Sequence, residues 1–207
     1  MYTISGSGNR EFVGFASIRA IVGKVTDPYA DYLVYDSFTG SDGTALTAHT
    51  PEKAPGAWTN YNTNPWTIQG NKAATGGGAS RQNMAIESGG ADVVITGDVL
   101  AQQTSLVSRL SDTTHLCFCL AHATADQIRL YTDNAGFAVI GSAAKVYTAG
   151  DPVSFIYAVN GNAHSAQDGA VTATATSAFN NTATKHGLWA DTNTAGWTVD
   201  NFTVSAA

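Results

Sequence analysis

Residues 189–205 read WADTNTAGWTVDNFTVS, and within them WTVDNFTV at 197–204 decides the fold. The run is β-branched and aromatic, with no proline and no helix-forming stretch, so it forms a strand. A single strand does not stay ordered by itself. The mate its composition suits best is VYDSFT at 34–39, which has the same character and runs into the turn-rich GSDG at 40–43. Pairing the two brings residues near 35 and near 202 together, and the chain between them must curl into a closed body of two sheets.

The intervening sequence supports that body. Residues 66–69, 72–75, 81–87, 92–102, 104–110, 114–121 and 128–132 read as short strands separated by glycine- and asparagine-rich turns. Asp133 to Gly136 is a hairpin turn into 137–140. Asn160-Gly161 and Asp168-Gly169 suit type I′ turns and bracket three consecutive strands, a meander. Helical periodicity of useful length is absent. The expected fold is all-β, a two-sheet antiparallel sandwich of jelly-roll type over residues 32–207, preceded by an N-terminal arm at 1–31. Within the arm, Phe12, Phe15, Ile18 and Val22 suit one face of a helix, whereas Gly14, Gly23 and the β-branched residues favour a strand; an attachment arm and one more strand of the sandwich both fit.

Composition narrows the function. Charged residues are 13% of the 207 and the net charge is -6, with only 10 Lys and Arg that form no cluster, so there is no basic stripe to neutralise phosphates and no nucleic-acid partner is expected. No apolar run approaches a membrane span, and the first residues lack a basic start followed by an apolar core, so retention in a cytoplasm or release by another route is expected. Cys117 and Cys119 lie two apart on one strand, a spacing too long for a disulfide, and are expected to be free thiols in the core.

The succession DSFTGSDGTALTAHTP, GAWT, NPWTIQGNKA, ADVVITGDV, SLVSRLSDTTHLCFCL, QIRLYTDNAGFAVIGSAA, HGLWA and WTVDNFTV resembles the concanavalin A-like, laminin G-like jelly-roll domains over about residues 35–205. Such domains occur in bacterial surface proteins and glycanases and recur in tailed-phage virion proteins. The resemblance implies two curved antiparallel sheets with first and last strands adjacent. It also implies that Asp36, Phe38, Trp66, Asp200 and Phe202 serve the structure.

Retaining glycanases of that fold carry closely spaced carboxylates on one strand. The three glutamates here, Glu11, Glu52 and Glu87, all stand more than two positions from any aspartate, so no catalytic residues are assigned and an enzyme is not expected. His115 and His122 are seven apart, on opposite faces of their strand, and make no metal pair. No cofactor is required; Asp112, Asp126 and Asp133 are the loop carboxylates a calcium ion would use, although aspartate is common in turns for its own reasons. Two functions fit. The first expectation is a non-enzymatic structural protein of a phage virion, decorating a capsid or associated with a tail or fibre. It would be held to other virion proteins and to copies of itself by Phe12, Phe15, Ile18 and Ile21 of the arm. The alternative is a carbohydrate-binding module that stacks and hydrogen-bonds a glycan on Trp58, Tyr61, Asn62 and Asn64. Deleting residues 1–31 is expected to leave a domain that still unfolds cooperatively on heating, followed by circular dichroism. Loss of that transition makes the segment part of the sandwich.

Overall fold

The computed structural model describes residues 27–62, 66–77, 81–190 and 195–207. β1 (Val34–Asp36) lies antiparallel to β15 (Ala195–Ala206), with Val34 opposite Val204, Tyr35 opposite Thr203 and Asp36 opposite Phe202. On its other side β15 pairs with β6 (Val93–Leu100), and its first half pairs with β4 (Ala73–Gly76). The last strand is thus the middle of a sheet. That sheet is completed by β3 (Thr67–Ile68) beyond β4 and by β11 (Pro152–Asn160), β12 (Ala163–Asp168) and β13 (Val171–Thr176) beyond β6. β11 to β13 form the expected meander, but its turns fall one residue further on, at Gly161-Asn162 and Gly169-Ala170, and only the glycine of each takes positive φ, the type II′ pattern rather than the expected type I′.

The second sheet runs β10 (Phe137–Ala144), β9 (Gln127–Asn134), β8 (His115–His122), β7 (Thr104–Asp112), β14 (Lys185–Ala190), β5 (Gln82–Glu87) and β2 (Thr59–Asn60). Every strand pairing in both sheets is antiparallel, and the helical content of the described residues is two single 3-10 turns, Leu46–Ala48 and Ala123–Ala125. The chain is an all-β antiparallel sandwich, as its sequence predicts. Two strands are not announced by the composition: β2, inside a turn-rich connection, and β14, which is six residues long and contains Gly187, where an added Cβ would fall 2.0 Å from the Met84 carbonyl oxygen of β5. Glycine lets β5 and β14 approach that closely.

The space between the sheets is filled by alternate residues of both. Val93, Ile95 and Val99 of β6 and Val153, Phe155, Tyr157 and Val159 of β11 meet Leu106, Cys119, Ile128, Leu130 and Leu188 from the other side, with Phe38, Trp58, Trp66 and Phe202 at one end. Both cysteines are free and buried, and burial pushes the Cys117 thiol up to about 12, so they are packing residues at neutral pH.

One polar network crosses the core. A bulge in β7 between Ser108 and Asp112 puts Arg109 at positive φ, so two successive residues point inward. Ser108 reaches the Tyr157 hydroxyl at 2.9 Å, and the fully buried Arg109 guanidinium donates to the Gly161 carbonyl at 2.5 Å and to Asp92 at 3.2 Å. His186, also buried, accepts from the Arg109 backbone N–H on Nδ1 and donates from Nε2 to the Gly90 carbonyl. That arrangement uses the neutral imidazole, and burial together with the nearby Arg109 charge holds its pKa down at about 4.

The folded state therefore takes up the His186 proton only near pH 4, whereas an unfolded histidine takes it near 6.5. Stability contributed above the unfolded value is lost as pH falls through this window, by roughly 3 kcal/mol at most. The melting temperature should fall between pH 6.5 and pH 4, and His186→Gln should flatten that decline. An equally steep decline in the variant would assign it elsewhere.

Candidate functional site

The inner strands β5, β14, β7 and β8 of the seven-stranded sheet are buried on both faces. Beyond the inter-sheet core, a second apolar cluster is drawn wholly from its strands: Ala85 of β5, Trp189 of β14, Val107 and Leu110 of β7, Leu116, Phe118 and Leu120 of β8, and Tyr131 of β9. These side chains occupy the face turned away from the other sheet, because Ala85, Gly187, Val107, Phe118 and Tyr131 are successive cross-strand partners. Trp189 stacks on Phe118 with centroids 4.7 Å apart, and Phe118 stacks on Tyr131 at 4.7 Å. Phe137 of β10 meets all three edge-on and is the outermost ring, 40% exposed against 2% for Trp189.

Beside this aromatic row is a line of unsatisfied polar atoms. Trp189 pairs in register with Asn83 of β5 on one side and Ser105 of β7 on the other, so the three side chains stand next to each other on the same face. The indole Nε1 of Trp189, the Oδ1 of Asn83 and the Oγ of Ser105 are all buried and all without a hydrogen-bond partner. Asn83 spends its amide Nδ2 on the Thr113 carbonyl at 3.2 Å, which fixes its oxygen as the free end. An orphaned buried polar atom costs about 1–3 kcal/mol, and three in adjacent register positions mark a place where stability is given up. Trp66 Nε1 is also unpartnered, but it lies alone in the inter-sheet core.

The rim carries three cations, of which Arg81 alone is ion-paired among the described residues. Arg81 bonds the buried Asp133 carboxylate at 3.0 Å and lies over the Phe137 ring at 4.0 Å. Lys185 donates to the Tyr61 hydroxyl at 2.8 Å, and that bond raises its pKa; Lys185 also sits in register opposite Glu87. Arg129 is engaged by Gln127 at 2.8 Å and by the Tyr131 hydroxyl at 3.4 Å.

The residues expected to hold a sugar are divided. Trp58 is in the core: it is 2% exposed, packs on Phe202 and Phe38, and donates its indole N–H to Asp36 at 2.6 Å. Its ring is unavailable to a ligand. Asp36, opposite Phe202, also accepts from Phe38 N and His49 Nε2, so it is the structural carboxylate the resemblance implied; burial, opposed by these bonds, raises its pKa. Tyr61 does reach the aromatic face, half-buried against it, and Asn62 gives its side-chain oxygen to the Asn83 backbone N–H. Asn64 lies outside the described residues, as do Phe12, Phe15, Ile18 and Ile21. Sequence reasoning missed Asn83, Ser105 and the outward position of Trp189.

Among the described residues no three His, Cys, Asp or Glu side chains gather as metal ligands would, and no helix is long and apolar enough to cross a membrane. Asp112 binds the Thr114 N–H and His115, Asp126 ends a 3-10 turn in the left-handed region, and Asp133 is not a solvated loop residue but the buried partner of Arg81. Asp92 bonds Arg109 and the Gly161 N–H, while Asp98 takes Ser154 and Asn201 and stands in register opposite Asp200.

No family model matches the chain, and no curated protein matches it. Solved structures do. The carbohydrate-binding module CBM66 from Bacillus subtilis is 17% identical, with TM-score 0.56 over 72% of this chain and 95% of its own. Domain 4 of AbnA, a GH43 extracellular arabinanase from Geobacillus stearothermophilus, in complex with arabinotriose, is 12% identical, with TM-score 0.51 over 86% and 93%. A protein of unknown function with a galectin-like fold from Bacillus subtilis is 10% identical, with TM-score 0.52 over 83% and 97%. At these identities the likeness is one of fold, and it agrees with the lectin-like jelly roll read from the sequence. It lends no support to a virion attachment. Trp58→Ala is expected to destabilise by about 3–5 kcal/mol in chemical denaturation. Tyr61→Ala, half-buried at the margin, should cost only about 1 kcal/mol.

Proposed function

We propose that this domain binds a glycan on the outward face of the seven-stranded sheet. The observation that carries the reading is the line of unpartnered atoms on Asn83, Trp189 and Ser105, set in register beside the aromatic row of Trp189, Phe118, Tyr131 and Phe137. Sugars present what such a place lacks: hydroxyls that both donate and accept, on rings whose C–H faces pack against aromatic surfaces. The site is built on strands, which fixes its groups, but its three free atoms are closed to solvent, Asn83 and Ser105 at 0% and Trp189 at 2% exposed, so a ligand meets Phe137 first and reaches them only when the face opens. The likeness to a carbohydrate-binding module and to an arabinanase domain in complex with arabinotriose supports the same choice over a purely structural role.

The test is affinity electrophoresis of the full chain through gels containing a panel of polysaccharides, with retardation expected on at least one. Ser105→Ala is the informative variant. It removes a hydroxyl that has no partner in the folded chain, so its melting temperature should be unchanged or higher while retention falls at least tenfold. Trp189→Phe, which keeps the stack on Phe118 but deletes the indole N–H, should likewise lose retention. A Ser105→Ala protein that melts lower and binds as before would falsify the assignment.

A further inference from the structure

Resting on the glycan-binding reading, we infer that the chain carries a second sugar site on its opposite side, a groove on the outward face of the β11–β12–β13 meander that is open without any rearrangement. The groove has a volume of about 540 Å³, within the range of small-ligand sites. Two cross-strand rows build it, Ala158, Ser165 and Thr174 in one and Asn160, Ala163 and Thr176 in the next, each in register across the meander. Their neighbours along the strands, Tyr157, Val159, His164, Ala166 and Ala173, are buried, so these side chains point away from the core. Each row holds one alanine and two polar groups. The alanines keep the floor low, so that a sugar ring can lie against the sheet with the polar groups beside it.

The groove holds hydrogen-bonding capacity that the chain has not used. None of the Asn160, Ser165, Thr174 and Thr176 side chains bonds another group among the described residues. Polar side chains on the same face outside the groove behave otherwise: Thr96 and Thr203 bond each other at 2.7 Å, Gln167 bonds the Gly169 carbonyl at 2.8 Å, and Ser154 bonds Asp98. Hydroxyls and an amide both donate and accept, as the hydroxyls of a sugar do, and no Asp, Glu, Lys or Arg among the described residues lines the groove. An extended peptide is matched less well, because its main chain needs a free strand edge. β11 and β12 have ladders on both sides, and at the β13 edge β10 comes so close that a Cβ on Gly141 would fall 2.3 Å from the Thr174 carbonyl oxygen. Carried on strands, the polar groups keep their spacing before a ligand arrives, which lowers the cost of ordering them.

The experiment is affinity electrophoresis of the full chain through a polysaccharide that retards it, comparing wild type with Ser165→Ala/Thr174→Val/Thr176→Val and, separately, with Ala163→Leu. The first variant deletes the hydroxyls while keeping the β-branched shape at 174 and 176; the second fills the floor. They act by different means at surface positions, so each stands if the other folds poorly. Both should melt at the wild-type temperature and bind about tenfold more weakly, and the first should weaken binding further in the Ser105→Ala background. Folded groove variants that are retarded like wild type overturn this inference, and they leave glycan binding standing where Ser105→Ala alone loses retention. Loss in the groove variants with Ser105→Ala unaffected upholds the groove and moves the sugar off the seven-stranded sheet. A polysaccharide panel that nowhere retards wild type overturns both readings together.

Discussion

The structure depends on the last strand of the chain having neighbours on both sides. β15 joins β6 to β1 and β4, so the sheet exists as one layer only because residues 195–206 are threaded through it. Without that ladder the meander β11 to β13 would remain attached to β6, but β1 and the short β3–β4 pair would be left with no independent stability. The inter-sheet core shares the dependence, because Val199, Phe202 and Val204 of β15 close one side of it against Trp58 and Phe38.

What could be read from the sequence was what local chemistry dictates. Asn160-Gly161 and Asp168-Gly169 announced hairpins through their glycines, which take positive φ at no steric cost, although each turn centres one residue beyond the pair; WTVDNFTV announced a strand that needed a partner like VYDSFT. What could not be read was decided by contacts across the fold. HGLWA gives a weak strand signal, since Gly187 is there for the approach of β5 rather than for strand propensity. Trp58 sits in a polar, asparagine-rich stretch that looks like surface, yet it is buried because Asp36 and Phe202, far apart in sequence, form its pocket.

The candidate site was hidden for a related reason. When a sheet is buried on both faces, the alternation that separates inside from outside fades, and β5, β7 and β8 read as nearly continuous buried runs. Asn83 and Ser105 then look like ordinary interior polar residues. Only the register across β5, β14 and β7 sets them on either side of Trp189, and only the full inventory of hydrogen bonds shows that their outward atoms have nothing to bond. The contrast with Arg109 is instructive: its guanidinium is just as buried, but each of the groups around it has a partner, which is how a polar cluster serves stability.

The position of β15 in the chain also sets when the molecule can form. During synthesis the ribosome delivers β6 long before residues 195–206, and until that segment leaves the exit tunnel the half-built sheet offers an open flank at β6. Closure of the sheet therefore waits on long-range contacts, which form slowly.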